Sequence, residues 1–283
     1  MLYHDPSWPR AHDWLASQGE DPSVEILGLP INRSISPGNC HLAPGAIREA
    51  LAYLTPNTLE DVGVRDLGDL SSEQAEDFAA FPDRRAVRVF LGGDNAVTYF
   101  GVKSLGLPLD RIAVITTDAH LDMRLMPNGL NNGSPIRALI ESGLPGKQIF
   151  QIGILPFANS GDYFGYAREN GSTQISAREV HEIGAAPTVQ KVLANVPDFV
   201  EAIYVDFDID VLDRTFCPGA PGARPGGLMP DQLFQIAEFL GQHPKVVAAD
   251  IVEFDPNLDI NRQTSLSCAT LLLHFIQGVA SRP

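Results

Sequence analysis

Residues 112–122 read IAVITTDAHLD, an apolar run followed by alternating polar and apolar residues. The apolar part is typical of a buried strand in a parallel sheet. If the backbone stays extended beyond it, Asp118, His120 and Asp122 lie on one side. Carboxylate and neutral imidazole together suit Mn, Fe or Zn, so the pattern indicates a metal site. The alternative is that Asp118 caps the following segment while the other two are solvated loop residues.

A second acidic cluster occupies residues 204–213, whose sequence is YVDFDIDVLD. The same alternation predicts Asp206, Asp208 and Asp210 on one face of a strand, with apolar side chains on the other. Carboxylates packed on a buried face repel one another unless a cation lies between them. Ligands of open α/β sheets bind at the carboxyl edge, where both clusters are expected to meet. Because the clusters offer more ligands than one ion needs, they predict a carboxylate-bridged two-metal site.

The composition is that of an ordinary globular protein. The chain has 283 residues, of which 44% are hydrophobic and 19% are charged, enough for a sizeable core. The formal charge is -15, from 35 acidic and 20 basic residues, so a general nucleic-acid or anionic-membrane surface is disfavoured. With no internal repeat or linker, residues 1–283 are predicted to form a single domain.

The cysteines and the amino terminus indicate a compartment. Cys40, Cys217 and Cys268 are odd in number and widely spaced, which disfavours a disulfide framework or a zinc ribbon. Residues 1–6 lack the basic and apolar regions of a secretory signal, and no apolar run reaches transmembrane length. We therefore expect a cytoplasmic protein.

Strands and helices are predicted to alternate along the chain. Apolar runs predict one strand leading into each acidic cluster and further strands at 24–30, 86–91, 148–154, 174–175 and 246–254. Helices are predicted within 1–21 and at 44–51, 136–142, 163–169, 189–193 and 265–279. This alternation predicts an α/β protein whose mainly parallel sheet is covered on both faces.

Five separated motifs together carry a family resemblance. They are GGD at 92–94, DAHLD at 118–122, DIDVLD at 208–213, PGGL at 225–228 and DIVEFDP at 250–256. In this order and spacing they resemble the ureohydrolase superfamily of arginases and agmatinases. Residues 118–124, 132–135 and 154–160 are most similar to its formimidoylglutamase branch. Arginases and agmatinases usually have a histidine where Asn132 stands.

The resemblance implies a three-layer, arginase-like α/β/α fold and two manganese ions bridged by hydroxide. Carried over residue by residue, the implied ligands are bridging Asp118 and Asp208, then His120 and Asp210 on one ion, and Asp122 on the other. The family's sixth ligand is a histidine after Gly-Gly-Asp, and here that position is Asn95. The ion beside Asn95 is therefore expected to be weakly held or partly occupied.

The residues also indicate a hydrolytic mechanism. Two cations lower the pKa of a shared water and stabilise a tetrahedral intermediate on an amidine or guanidine carbon. Asp122 is suited to accept the proton of that water and pass it to the leaving amine. Glu253 is suited to bind a cationic amidinium, although a surface salt bridge is the ordinary role of a lone glutamate.

The substrate is expected to have a carboxylate tail. Arg124 lies just beyond the first acidic cluster, and the fork of an arginine suits a carboxylate. Asn132 and Ser134 belong to a motif that resembles formimidoylglutamases and are predicted to contact substrate. Arg224 and Arg137 are weaker candidates for a second carboxylate, because loop arginines are usually solvated.

Together these observations predict manganese-dependent hydrolysis of a linear amidine. The preferred reaction converts N-formimidoyl-L-glutamate to L-glutamate and formamide, a step of histidine degradation. The alternatives are an agmatinase, a guanidino-acid hydrolase, or a metal-poor inactive relative acting as a binding subunit, which Asn95 encourages and the retained aspartates oppose. A deacetylase is disfavoured because the chain has no adjacent pair of histidines. The resemblance also implies a homo-oligomer, either a trimer or a hexamer.

Overall fold

A parallel sheet of eight strands forms the centre of the part of the chain that the structure describes. The computed structural model describes residues 5, 7–16, 22–71, 73–74 and 85–282. The strands are β1 (Val24–Leu29), β2 (Val64–Asp69), β3 (Val87–Gly92), β4 (Ile112–Thr117), β5 (Ile149–Ile154), β6 (Thr173–Ser176), β7 (Ala202–Asp208) and β8 (Val246–Val252). They are ordered β2-β1-β3-β8-β7-β4-β5-β6, with parallel pairings between neighbours.

Helices cover both faces of this sheet. They are α1 (Ala11–Ala16), α2 (Ala43–Ala50), α3 (Ala96–Ser104), α4 (Pro135–Glu141), α5 (Gly161–Asn170), α6 (Ala177–Ile183), α7 (Ala185–Leu193), α8 (Pro230–Gln242) and α9 (Gln263–Ala280). Residues of α3, α4 and α5 pack in one hydrophobic core, and those of the other helices pack in a second. The predicted three-layer α/β/α fold is therefore confirmed.

The central strands are apolar on both faces because each face meets a helix layer. In β4, Ala113 and Ile115 belong to one core while Ile112 and Val114 belong to the other. This period of two is what an extended strand imposes. β4 pairs with β7 on one side and β5 on the other, so all its residues are buried.

Most predicted elements are confirmed to within a few residues. Among the strands and helices given above for the described residues, four were not predicted from the sequence. The edge strand β2 reads VRDLGD and is partly exposed, so it lacks the apolar run that marks a buried strand. Helices α3, α6 and α8 were also not predicted. In the amino-terminal segment, α1 accounts for the predicted helix; residues 1–4, 6 and 17–21 lie outside the described residues.

The expectation that the backbone stays extended through the second acidic cluster is wrong. β7 ends at Asp208, and Ile209–Val211 form a single 3₁₀ turn. The Asp208 side chain begins this turn, because its Oδ1 accepts the backbone N–H of Asp210 over 2.8 Å. A side-chain acceptor placed two residues before a free N–H favours a turn over a continued strand.

The fold brings the separated motifs together at one edge of the sheet. β3, β8, β7 and β4 are consecutive neighbours, and all run in the same direction. The segments that follow them contain the GGD, DIVEFDP, DIDVLD and DAHLD motifs. In the described ranges, no helix combines the length and apolarity needed to cross a membrane.

Candidate active site

Asp118 follows β4 directly and lies at the centre of the candidate site. Its side chain is fully buried. Its Oδ1 accepts the backbone N–H of His120 over 2.6 Å. Its Oδ2 has no hydrogen-bond partner among the described residues. A buried carboxylate oxygen without a partner costs free energy, so the atom is suited to an ionic ligand.

The backbone turns at Asp122, whose φ of +51° lies in the left-handed region. Such a conformation costs an L-residue about 1 kcal/mol and needs support from its surroundings. Leu121 supplies that support, because its N–H donates to Asn159 Oδ1 over 2.8 Å and its carbonyl accepts from Gln151 Nε2 over 3.0 Å. The three predicted ligands of this segment therefore converge through a turn instead of an extended strand.

The second acidic cluster presents Asp208 and Asp210 to the same point. Asp208 is the last residue of β7, and Asp210 lies in the turn that follows. Gly222 approaches this turn closely, since a Cβ there would lie 1.9 Å from Asp210 Oδ2. Only glycine fits that position without displacing the carboxylate. Asp206 lies two residues before Asp208 on β7. It pairs with Asp250 of β8 and is fully buried.

Two groups of side chains have the geometry of metal sites. Asp118, His120 and Asp210 form one, and Asp118, Asp122 and Asp208 form the other. Within each group the potential ligand atoms lie within 4.8 Å of one another. Asp118 belongs to both groups, as expected of a bridging ligand. Asp208 belongs to the second group alone, although its implied role is also to bridge.

The carboxylates of these groups resist ionisation together. Burial, followed by the charge of Asp210, raises the pKa of Asp118 to about 7. Burial, followed by the charge of a neighbouring aspartate, raises the pKa values of Asp122 and Asp208 well above their usual range. A divalent cation among these oxygens would reverse the shifts, because it stabilises the ionised form.

His120 neutralises only part of this charge. Its Nδ1 lies 2.9 Å from Asp210 Oδ2, and that carboxylate raises the pKa of His120 to about 12. Burial acts to raise the pKa of Asp210, but His120 overcomes it and holds the pKa below its usual value. One imidazole against four buried carboxylates leaves excess negative charge. The donor set therefore fits divalent cations with a preference for oxygen and nitrogen ligands.

Asn95 lies beside the second group, at the start of α3. Its side chain is 1% exposed. The amide Nδ2 donates to Asp122 Oδ2 over 2.7 Å and is 3.2 Å from Asp208 Oδ2. The Asn95 side chain thus stands where a further ligand to the second group would stand.

Glu253 follows β8 with a φ of +62°, a second left-handed residue at this edge. Its Oε1 accepts the backbone N–H of Asn95 and the Nδ2 of Asn132, each over 2.9 Å. Burial, followed by the charge of Asp94, raises the pKa of Glu253 to about 8. Asp122 and Glu253 thus both have a strained, left-handed backbone, and such residues cluster at functional sites.

A pocket of about 210 Å³ opens above these residues. Its buried floor contains Asp122, Asp208, Asp210 and Glu253, with His120 beside them, and its more exposed rim contains residues 34–38, Arg124 and Arg224. Gly133 accommodates Arg124, because a Cβ at Gly133 would lie 2.5 Å from Arg124 Cδ. The arginine therefore lies across a glycine at the mouth of an acidic pocket.

The other predicted substrate residues are placed differently. Asn132 lines the pocket, but its Nδ2 binds Glu253 and its Oδ1 accepts the backbone N–H of Ile35 over 3.0 Å. Ser134 is fully buried outside the pocket lining, and its hydroxyl exchanges hydrogen bonds with the backbone of Asn131. This geometry does not support a substrate contact by Ser134.

The two weaker arginine candidates also differ in position. Arg224 lines the pocket, and its Nη1 donates to the carbonyls of Pro221, Gly222 and Ala223. Arg137 lies over the ring of Tyr166, 4.1 Å from the centroid, and pairs with Glu141. Arg137 is absent from the pocket lining, whereas Arg224 is part of it.

Several residues of the site were not identified from the sequence. The rim loop at 34–38 carries no charged motif, and its hydrogen bonds from Ser34 to Asp94 and from Ile35 to Asn132 hold it over the pocket. Asn159 belongs to the formimidoylglutamase-like segment at 154–160. The motif contained this residue but did not indicate that it accepts the backbone N–H of Leu121.

Comparison with known proteins agrees with the fold and the site. The sequence model of a protein family, described as the Arginase family, matches residues 22–277. The formimidoylglutamase of Bacillus subtilis is 33% identical over 91% of this chain and 88% of its own length. That of Halalkalibacterium halodurans is also 33% identical, over 89% and 86% of the two chains.

Solved structures show the same relationship. The crystal structure of the Bacillus subtilis formimidoylglutamase superposes with a TM-score of 0.90 and 30% identity, covering 100% of this chain and 95% of that one. Trypanosoma cruzi formiminoglutamase with Mn2+2 superposes with a TM-score of 0.84 over 97% and 99% of the two chains, at 23% identity, which supports the shared fold. The chain belongs to the arginase family of metal-dependent C–N hydrolases.

Proposed function

We propose that this protein hydrolyses N-formimidoyl-L-glutamate to L-glutamate and formamide, with two manganese ions bound. Water adds to the amidine carbon, the bond from that carbon to the glutamate nitrogen breaks, and the nitrogen leaves as the amine of glutamate. The observation that carries the proposal is an acidic pocket floor with Arg124 at its rim. Such a pocket suits a molecule with a cationic head and an anionic tail. The names of the two relatives at 33% identity support the same substrate.

The metal ligands proposed are the carboxylates and the imidazole of the two groups described above, together with Asn95. The chemistry that divalent cations supply in such a site is Lewis acidity, which lowers the pKa of water and stabilises developing negative charge. We propose that the ion beside Asn95 is held more weakly, because an amide oxygen is a poorer donor than imidazole.

The remaining roles belong to residues around the pocket. Glu253 is proposed to bind the amidinium, because its Oε1 is fixed by two donors and its carboxylate lines the pocket. Asp122 is proposed to accept a proton from water and pass it to the leaving nitrogen, since it lies on the pocket floor. Arg124 is proposed to anchor one substrate carboxylate and Arg224 the second.

A side-by-side assay tests the proposal. The protein is loaded with manganese, and rates are measured on N-formimidoyl-L-glutamate, agmatine, 4-guanidinobutyrate and arginine. We expect kcat/KM for the first substrate to exceed the others by at least about 100-fold, the scale of one charge-assisted contact or more. Equal or faster turnover of agmatine would favour the agmatinase alternative. No turnover with metal bound would favour an inactive relative.

Three further properties are proposed from the sequence and from the family resemblance. We infer that residues 1–283 act as one domain, that the protein works in the cytoplasm, and that it forms a homo-oligomer, a trimer or a hexamer. Light scattering of the purified protein gives the number of subunits directly, and a monomeric mass would contradict the proposed assembly.

A further inference from the structure

Thr98 of α3 connects Asn95 to a second buried carboxylate, that of Asp250. The Thr98 side chain is fully buried. Its Oγ1 lies 2.6 Å from Asn95 Oδ1 and 2.9 Å from Asp250 Oδ2. The hydroxyl of Tyr204 donates to the same Asp250 Oδ2 over 2.7 Å. These contacts form a chain of polar groups that leads from the core to the candidate metal centre.

The hydrogens in this chain can be counted. A threonine hydroxyl has one proton to donate, yet both of its neighbours here are oxygen atoms that accept. Thr98 can therefore satisfy Asn95 Oδ1 or Asp250 Oδ2, but not both. Because both distances are short and the groups are buried, the second contact brings two oxygens together without a proton between them.

A half-turn of the Asn95 carboxamide removes this conflict. The oxygen and nitrogen of a carboxamide have nearly the same shape, so the rotation exchanges them without moving neighbouring atoms. Asn95 Nδ2 then donates to Thr98 Oγ1, and the Thr98 hydroxyl donates to Asp250. Each of the two contacts of Thr98 Oγ1 then joins one donor to one acceptor, with Asp250 ionised.

The same half-turn changes what faces the candidate metal centre. Asn95 Oδ1 would replace Nδ2 beside Asp122 Oδ2 and Asp208 Oδ2, which are now 2.7 and 3.2 Å from the nitrogen. Three oxygens facing one another repel unless a cation lies among them. The orientation that satisfies Thr98 is thus the orientation that binds a cation.

We propose that Thr98 is a positioning residue which, backed by Asp250 and Tyr204, turns the carbonyl oxygen of Asn95 toward a divalent cation held by Asp118, Asp122 and Asp208. The inference rests on the proposed function for the presence of manganese. It adds a reason why asparagine can serve as a ligand here, since an amide needs a hydrogen-bond acceptor behind its nitrogen to present its oxygen.

The test is a manganese titration of metal-stripped protein, read by calorimetry. Thr98→Val keeps the shape of the side chain but cannot form the chain of hydrogen bonds, whereas Thr98→Ser keeps the hydroxyl. We expect Thr98→Val to weaken the lower-affinity ion by about 10-fold or more, the scale of outer-shell changes. The affinity of Thr98→Val for the more tightly bound ion should stay within about 2-fold of the parent value. Thr98→Ser should bind both ions with affinities within the same range.

A matched control and a double variant separate positioning from packing. Thr188 is also fully buried, and its hydroxyl donates to the Gly184 carbonyl in another layer of the fold. Thr188→Val should leave both manganese affinities unchanged. In an Asn95→Ala background, Thr98→Val should add nothing to the loss, because the two residues act through one contact.

The results distinguish failure of the Thr98 inference from failure of the proposed function. Equal affinities in the parent and Thr98→Val, or an additional loss in the Asn95→Ala background, would overturn the role of Thr98 while leaving the proposed function intact. The expected dependence on Thr98 in a protein that hydrolyses no amidine would support the inference and overturn the function. If Thr98→Val does not fold, Thr98→Ala in its place is titrated against Thr98→Ser by the same criteria.

Discussion

Asn132 donates a hydrogen bond from its side-chain nitrogen to Glu253 Oε1 over 2.9 Å, although 121 positions separate the two residues in the chain. The other end of the same amide accepts the backbone N–H of Ile35 in the rim loop. Asn132 thus holds both Glu253, the carboxylate proposed to bind the amidinium, and the rim loop. Its position between them suits a positioning role more than direct contact with substrate.

Replacement of this amide tests that role. Asn132→Ala should lower kcat/KM about 10- to 100-fold, because a hydrogen bond to a charged group is lost and Glu253 is released. The measurement is steady-state kinetics on N-formimidoyl-L-glutamate. Asn195→Ala removes an exposed amide in the turn after α7, whose nitrogen donates to the Lys191 carbonyl, and should change nothing. An unaltered kcat/KM in Asn132→Ala would show that Glu253 needs no such support.

Arg124→Ala should raise KM for N-formimidoyl-L-glutamate about 10- to 100-fold with a smaller effect on kcat. A carboxylate anchor contributes equally to ground-state and transition-state binding, so its loss appears mainly in KM. Agmatine has no carboxylate, and its weak turnover should not respond to the change. A similar loss on both substrates would point to a structural role for Arg124.

Gly133→Ala should produce a milder form of the same defect. The added Cβ would lie 2.5 Å from Arg124 Cδ, so the arginine must move. We expect KM to rise by about 10-fold, the order of effect that misplaced binding groups produce. Combining Gly133→Ala with Arg124→Ala should give no loss beyond Arg124→Ala alone. Additive losses would mean that Gly133 acts through another neighbour.

Asp208→Ala should abolish activity and reduce the manganese-dependent rise in melting temperature. The second group loses one of its three members, and the remaining carboxylates repel around a weakly held cation. Thermal unfolding with and without manganese gives the comparison. Asp162→Ala, at the exposed start of α5, should retain the full response. A parental response in Asp208→Ala would remove it from the ligand set.

Metal-stripped protein should lose stability as pH rises from about 5 to 8. The pKa values of Asp118 and Glu253 are raised by burial to about 7 and about 8, so the folded state binds more protons than the unfolded state in this window. Stability therefore falls with pH, and the raised pKa of His120 acts in the same direction above its usual value.

Melting temperatures across this range, with and without saturating manganese, test the dependence. Manganese should flatten the curve, because the cation takes the place of the protons. Glu253→Gln removes one of the titrating groups and should reduce the slope of the metal-free curve. A metal-free melting temperature that rises with pH would contradict the assigned shifts.

The architecture followed from the sequence wherever one local pattern dominated. Strands such as β4 and β5 are buried on both faces, so their apolar runs are unambiguous. The edge strand β2 has an exposed, partly charged sequence, and its place is decided by pairing with β1. Its backbone partners are distant in the chain, and no local pattern reports them.

The candidate site shows the same division. The chemistry-bearing residues were predicted from the two acidic clusters and the motif that contains Glu253, since few other arrangements tolerate so many buried carboxylates. Their assignment as ligands and catalytic groups stays a prediction. Ser134 was selected from a motif, but tertiary packing buries its hydroxyl against Asn131.

The sequence by itself determined the fold class, the family and the acidic character of the pocket, because periodic burial and motif composition are properties of neighbouring residues. Only the tertiary structure decided how those residues are held. Hydrogen bonds from distant segments hold the left-handed turns at Asp122 and Glu253, and Thr98 links Asn95 to Asp250 of another strand. Such contacts depend on where the loops and helices meet after the sheet has formed, which the local sequence pattern does not report.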